Sequence, residues 1–176
     1  LSAVFLNNTV QWAEAAKAGG ADAVACCDAL GPALAIDVRT GQPLLGGPRG
    51  VGGLTGDALK PIALRMTLEV AMSTGLPVIG VGGISRAEDA VEYIMAGAWA
   101  VGVVTAGHLK GPAAYGRLIS DLARFMEERG YSSLADFRGL TIRKIQERQA
   151  AGTACITQPR PPEIDGDRGN GCGLCV

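Results

Sequence analysis

Apolar residues along the chain follow two alternating patterns. In four stretches, apolar residues recur with the period of a helix. A glycine follows each stretch, which predicts that the helix ends there. These stretches cover residues 9–18, 57–74, 85–96 and 112–129. Between them lie short uninterrupted apolar runs, the pattern of strands buried in a parallel sheet. These runs cover residues 23–27, 77–81 and 99–104.

The alternation of helices and strands predicts a parallel sheet and the α/β class. Two architectures satisfy this order, a doubly wound sheet and a (β/α)₈ barrel of the TIM type. Three strands and four helices amount to roughly half of such a barrel, which typically takes about 250 residues. Both architectures place ligands at the carboxyl ends of the strands, so the loops after each strand are the places to search for chemistry.

Two local signals refine the predicted order. Residues 30–56 form a long connection in which apolar residues 33–38 and 43–45 flank polar residues 39–42, and this pattern predicts a hairpin. Ser85 and Glu88 have the spacing of a capping box, which predicts the start of the third helix.

Composition narrows the function classes. The chain has 16 Lys and Arg against 17 Asp and Glu, a formal net charge of −1, so nucleic acid is not favoured as a partner. It contains no run of about 18 apolar residues, so no membrane span is predicted. Its 26 glycines among 176 residues are about twice the usual share of roughly 7%. They are spread among the periodic stretches, which indicates tight turns between buried elements.

Cysteine usage and the chain ends give two further expectations. The 5 cysteines are an odd number without the spacing of a disulfide framework, which favours a reduced, cytoplasmic setting. The adjacent Cys26 and Cys27 are predicted to be inert packing in a strand. The chain begins at Leu1 rather than Met and ends one residue after a Cys-x-x-Cys motif. We therefore expect a fragment of a larger protein, inactive alone.

Small and hydroxyl residues follow two consecutive predicted strands. Gly82 and Gly83 come between a strand and a helix, and Thr105 and Ala106 follow the next strand. Without Cβ atoms, a glycine backbone can approach a phosphate closely, and amides near the start of a helix can donate to it. The sequence therefore favours a phosphate site here. The alternative is that these glycines only make tight turns.

Three ordered segments carry a resemblance to a known family. They are residues 52–65 (GGLTGDALKPIALR), 77–84 (PVIGVGGI) and 96–106 (AGAWAVGVVTA). With residues 31–46, which fit the family's substrate-side excursion, they resemble class 1 dihydroorotate dehydrogenases and the related dihydropyrimidine dehydrogenases. The resemblance covers about residues 1–130, and it implies that this part is the C-terminal half of an FMN-binding (β/α)₈ barrel.

The resemblance also implies roles for individual residues. Cys27 would lie at a strand end beside the flavin. A further group would hold the FMN phosphate and ribityl chain: Gly52, Gly53, Gly82, Gly83, Thr105 and Ala106. The catalytic base and a flavin-contacting lysine of the family would both fall upstream of Leu1, so neither is assigned here.

The substrate-binding positions depart from the family's pattern. Asp28 and Ala29 stand where the family usually has Asn and Thr, whose side chains bind the pyrimidine ring. An ionised Asp only accepts hydrogen bonds, and it repels a carboxylated substrate such as orotate. This departure favours a different, non-pyrimidine substrate as an alternative. Asp28 could instead cap a turn before residues 31–32.

The tail resembles the start of a bacterial-type ferredoxin. Residues 131–162 are predicted to form a helix and an extended linker, and residues 163–176 a truncated ferredoxin-like segment. Cys172 and Cys175 would be the second and third ligands of a [4Fe–4S] cluster, while Gly169 occupies the first-ligand position. A surface thiol pair or a zinc half-site are the alternatives.

These resemblances together predict an FMN-dependent dehydrogenase that acts on CH–CH groups. It would transfer hydride between flavin and a C–C bond beside a carbonyl, and exchange electrons through iron–sulfur clusters. Its partners would be a small-molecule substrate and an electron-transfer partner or subunit, in a homo- or hetero-oligomer. Two alternatives stay open: an electron-transfer subunit fragment, and a phosphate-binding barrel without flavin.

Overall fold

The computed structural model describes residues 1–3 and 7–152, and everything stated below concerns those residues. The helices are α1 (Thr9–Ala18), α2 (Lys60–Thr74), α3 (Ala87–Met95), α4 (Thr105–Lys110), α5 (Ala113–Arg129) and α6 (Leu140–Ala150). The strands are β1 (Val24–Cys26), β2 (Leu30–Leu34), β3 (Val51–Leu54), β4 (Val78–Val81) and β5 (Ala100–Gly102). Contacts divide the chain into Leu1–Lys144, which contains all five strands, and Ile145–Val176.

A parallel sheet in the order β1-β4-β5 forms the centre of the first unit. Val24 pairs with Val78, and Ile79 pairs with Ala100, so the three strands lie side by side in chain order. This is the arrangement of a partial (β/α)₈ barrel, and it confirms the predicted parallel α/β sheet. The two remaining strands, β2 and β3, form a separate antiparallel ribbon.

In the described residues 1–3 and 7–152, helices cover one face of the parallel sheet and leave the other face open. Val24, Cys26 and Val78 are buried on the covered face and belong to a core that includes Met66 of α2 and Ile94 of α3. Ala25, Ile79 and Ala100 alternate with these residues and are exposed on the opposite face. This opposite face corresponds to the interior of a closed barrel.

Glycine and proline set the helix ends largely as predicted. Pro61 lies in the first turn of α2, where its missing N–H costs no helical hydrogen bond. Gly75 and Gly130 end α2 and α5 with left-handed backbones, each with a φ of +69°. Residues 57–59, predicted as the start of the second helix, form a 3₁₀ turn before α2.

One local prediction is wrong, and the structure adds detail to two others. The side chain that caps α3 is Asp89, because Ser85 and Arg86 both donate their amides to it, so the predicted capping box at Ser85 and Glu88 is wrong. Thr105, predicted to follow a strand, is the first residue of the short helix α4. The hairpin around residues 39–42 forms, with Ile36 bridging Pro43, but it extends further into the β2–β3 ribbon.

Within residues 1–3 and 7–152, none of the helices is both long and apolar enough to cross a membrane.

Candidate functional site

A cavity of about 250 Å³ opens at the carboxyl ends of four strands. The residues after β1, β3, β4 and β5 line it: Asp28, Ala29, Thr55, Gly56, Val81, Gly82, Gly83, Ile84, Gly102, Val104 and Thr105. Because the carboxyl ends of parallel strands meet at one edge of a sheet, residues far apart in sequence converge here. Five of them were predicted from the sequence as site residues: Asp28, Ala29, Gly82, Gly83 and Thr105.

The turn after β4 can be made only by glycine. Gly83 has a φ of +69°, and a Cβ added to it would lie 2.8 Å from the Gly56 carbonyl oxygen. Gly82 has a φ of +123°, and an added Cβ would lie 2.9 Å from the Cβ of Ala63. The two glycines therefore make a tight turn and also line the cavity. The structure shows the tight turn, and the phosphate site stays a prediction.

The predicted cofactor residues Gly52, Gly53 and Ala106 are not among the residues that line this cavity. Gly53 in β3 packs closely against Ala29, since a Cβ on Gly53 would lie 2.9 Å from the Cβ of Ala29. Gly52 packs against the side chain of Leu45 in the same way. Ala106 is buried in α4. These three residues shape the site without lining this cavity.

Asp28 dominates the electrostatics of the cavity. It is the single charged side chain among the described lining residues, and it is exposed. Its Oδ1 accepts a hydrogen bond from the amide of Ala29 at 2.8 Å. The described part of the cavity therefore carries a net negative charge and offers a hydrogen-bond acceptor at one end.

Cys26 and Cys27 lie at the end of β1 and are both buried. Burial raises the pKa of the Cys26 thiol to about 12, with a further contribution from neighbouring Cys27. Burial and the charge of Asp28 raise the pKa of the Cys27 thiol to about 11. Both thiols are therefore protonated at neutral pH, which makes them poor nucleophiles and poor bases. Cys27 lines a neighbouring cavity of about 220 Å³ rather than the main one.

An ion-pair network centred on the buried Asp89 supports the turn after β4 from below. Lys60 at the start of α2 places its Nζ 2.7 Å from Oδ1 of Asp89 and 2.8 Å from Oε2 of Glu92. Burial alone would raise the pKa of Asp89, but Lys60 and the amides of Ser85 and Arg86 outweigh it and hold that pKa below its usual value. This network joins α2 to α3 directly beneath Gly83.

Sequence reasoning missed several residues that the structure brings to the site. Thr55 and Gly56 line the cavity and directly follow β3, a strand of the antiparallel ribbon that the apolar pattern did not predict. Lys60 and Asp89 are 29 residues apart, and no local pattern joins them.

The predicted cluster ligands Cys172 and Cys175 lie outside the described residues. Within the described ranges, no group of three or more His, Cys, Asp or Glu residues is placed to hold a metal ion.

Comparison with known proteins gives one consistent family. The model of the dihydroorotate dehydrogenase family matches residues 5–126. The chain is 42% identical over 134 residues to dihydroorotate dehydrogenase B (NAD(+)), catalytic subunit, of Solidesulfovibrio magneticus, covering 76% of this chain and 42% of that protein. It is 43% identical over 138 residues to the Methanopyrus kandleri protein of the same name, and the match covers 77% of this chain and 42% of that protein.

Dihydroorotate dehydrogenase A (fumarate) of Lactobacillus helveticus is 41% identical over 134 residues, covering 76% of this chain and 42% of that protein. The chain thus spans about two fifths of the length of the curated relatives it matches.

Proposed function

The chain belongs to the dihydroorotate dehydrogenase family, and on that premise we propose that its protein is an FMN-dependent oxidoreductase acting on a CH–CH group beside a carbonyl. The observation that carries this proposal is the cavity at the strand ends, lined by the glycine turn at residues 82–83. A cavity in this position is where an α/β barrel holds its ligand.

The residues present fit a phosphorylated flavin. The turn at Gly82 and Gly83 lies so close to the residues behind it that neither position has room for a Cβ atom. Both glycines line the cavity, and their backbone can approach an anion closely because no side chain intervenes. Thr55 and Thr105 add hydroxyl groups to the same wall. The volume of about 250 Å³ lies below the roughly 300–1,000 Å³ of whole ligand pockets, which supports this chain forming one side of a larger site.

Each part of the cavity wall would have a different role toward a bound flavin. A bound flavin would supply the hydride-accepting chemistry. Gly83 and Thr105 would hold its phosphate, and Gly53 and Ala29 would keep the adjoining wall close-packed. Val81 and Val104 would present apolar surface that excludes water from the ring system.

Asp28 supports a second candidate for the substrate. An ionised carboxylate at the cavity accepts hydrogen bonds and repels another carboxylate. A neutral dihydropyrimidine, or a non-pyrimidine ring that carries N–H groups, suits this end of the cavity better than dihydroorotate does. The family's carboxylated substrate would need compensating positive charge from elsewhere in the protein.

We also propose that electrons pass through iron–sulfur clusters to a partner. Cys172 and Cys175 resemble two ligands of a ferredoxin-type cluster. The relatives named as catalytic subunits support a hetero-oligomer with an electron-transfer subunit. Iron and acid-labile sulfide assays on the anaerobically purified protein test this, with Cys175→Ser as the variant. Equal iron in both proteins contradicts it.

One experiment tests the flavin proposal. The protein is purified as its gene encodes it, and the released chromophore is identified by absorbance and mass. We expect FMN, and well-folded protein without any capacity to bind flavin contradicts the proposal. Reduction of the bound flavin by dihydroorotate or dihydrouracil is then compared between the natural protein and Asp28→Asn. Asp121→Asn, a change at a half-exposed position on α5, is the matched control. If Asp28→Asn leaves the rates with both substrates unchanged, position 28 does not select the substrate.

A further inference from the structure

Tyr93 lies beneath the glycine turn and is not part of the cavity wall. It belongs to α3 and is fully buried. Its ring packs on Gly80 in β4, where any Cβ would overlap the ring. Its hydroxyl donates a hydrogen bond of 2.7 Å to the carbonyl oxygen of Gly82. Burial raises the pKa of Tyr93 well above its usual value, so this hydroxyl keeps its proton and remains a donor.

The bond from Tyr93 fixes the direction of the next amide. The Gly82–Gly83 peptide bond is trans, so its C=O and N–H groups point in opposite directions within one plane. The Gly82 carbonyl points into the core toward Tyr93. The Gly83 N–H therefore points away from Tyr93, and both glycines of this turn line the cavity. Among the described residues, none accepts a backbone hydrogen bond from this amide.

The amides that follow this turn, those of Ser85 and Arg86, already donate hydrogen bonds within the protein. Asp89 accepts hydrogen bonds from the amides of Ser85 at 2.9 Å and Arg86 at 3.1 Å. An anion at the start of α3 would have to displace the buried Asp89 carboxylate to reach them. The donor available to an anion in the cavity therefore lies before Ser85, in the turn that Tyr93 holds.

We propose that the Tyr93 hydroxyl is a positioning group that aims the Gly83 amide at the anionic group of the bound ligand, the phosphate of FMN. This inference rests on the proposed function, since it needs a phosphorylated ligand in the cavity. It assigns a role to a residue that touches neither flavin nor substrate. Without the hydroxyl, the glycine turn is free to rotate its peptide plane, because glycine tolerates many backbone conformations.

The test compares FMN with riboflavin, which lacks the phosphate. Dissociation constants for both are measured by flavin fluorescence on the apoprotein of the full natural chain, for the natural protein and for Tyr93→Phe. We expect Tyr93→Phe to weaken FMN binding by about tenfold, the effect of losing one well-aimed hydrogen bond to a charged group. Riboflavin binding should change less than about twofold. Tyr131→Phe, which removes a hydroxyl from the aromatic cluster with Phe125 and Phe137, is the matched control and should change neither constant.

Each outcome decides one of the two proposals. Equal losses for FMN and riboflavin mean that Tyr93 is merely structural, and unchanged FMN binding means that its hydroxyl positions nothing; both overturn the inference. A natural protein that binds neither flavin overturns the proposed function instead. Hydrogen exchange of the natural protein needs no variant: we expect FMN, but not riboflavin, to protect the peptide covering residues 78–86. Equal protection by the two flavins also overturns the inference.

Discussion

Replacing Asp89 by Asn tests whether the buried network beneath the glycine turn stabilises the fold. The carboxylate is nearly inaccessible, with 4% of its side chain exposed. It accepts hydrogen bonds from Lys60 Nζ at 2.7 Å, from the amides of Ser85 and Arg86, and from the Ser85 hydroxyl at 3.3 Å. Asn has nearly the same shape but is neutral, so the substitution removes the charge while leaving one oxygen to accept.

The expected loss lies between two limits. Removing one partner of a fully buried ion pair costs about 3–5 kcal/mol, because the other charge is left uncompensated. The penalty for Lys60 is smaller, because solvent reaches 20% of its side chain and the carboxylate of Glu92 stays 2.8 Å from its Nζ. Weakening a charge-assisted hydrogen bond to a neutral one costs about 1–2 kcal/mol. We therefore expect Asp89→Asn to lower the free energy of unfolding by about 2–3 kcal/mol at neutral pH.

The pH dependence of this loss gives an independent check. Because the folded-state pKa of Asp89 is lowered, its charge stabilises the fold above the unfolded pKa of about 3.9. That contribution is lost as the pH falls through the folded-state pKa. The difference between natural protein and Asp89→Asn should therefore be constant near neutrality and shrink as the pH falls below about 4.

Urea unfolding followed by circular dichroism measures the loss in the free energy of unfolding at neutral pH and the change of that loss with pH. Asp121→Asn is the control: it removes a carboxylate that pairs with Arg124 on the surface of α5, and it should cost less than about 0.5 kcal/mol. A loss for Asp89→Asn as small as that of the control refutes the reasoning. So does a loss that stays the same down to pH 2, because the stabilisation would then not depend on ionised Asp89.

Three further predictions concern neighbouring residues. Gly83→Ala should weaken FMN binding by more than about tenfold, measured by fluorescence titration, because its φ of +69° strains any L side chain and the added methyl would lie 2.8 Å from a carbonyl oxygen. Cys26 and Cys27, whose pKa values are raised to about 12 and about 11 by burial, should resist iodoacetamide at pH 8 in the native protein and react after unfolding, as read from peptide masses. Hydrogen bonds to Asp89 and Glu92 raise the pKa of Lys60, so its charge stabilises the fold fully below the unfolded pKa of about 10.4. The stability lost in Lys60→Met should therefore shrink as the pH rises through the higher folded pKa, and urea midpoints that do not converge contradict it.

Much of the fold could be predicted because glycine and proline mark it locally. Thr9–Ala18 was predicted with its observed bounds, since Gly19 and Gly20 end the apolar period. The start of α3 was misplaced because Ser85, Glu88 and Asp89 all suit a capping motif. Only the packed structure shows that Asp89, held by Lys60, is the residue that turns inward.

The cavity wall could be located from the sequence for a different reason. Residues after parallel strands must converge, so Gly82 and Thr105 could be grouped without any knowledge of side-chain packing. Asp28 was assigned to the same site by the family resemblance alone. The residues that support the wall could not be found in this way. Tyr93 reads as one more apolar position of α3, and its hydroxyl matters only because β4 passes directly above it.

The three glycines of β4 and the turn after it, Gly80, Gly82 and Gly83, are each required for a different reason. Gly80 leaves room for the Tyr93 ring, Gly82 allows close approach to Ala63, and Gly83 supplies a backbone conformation that other residues adopt at a cost. The first of these is what makes the hydrogen bond from Tyr93 possible, since a side chain at position 80 would displace the ring and with it the hydroxyl. A residue without any side chain therefore determines where the hydroxyl that donates to the Gly82 carbonyl is held.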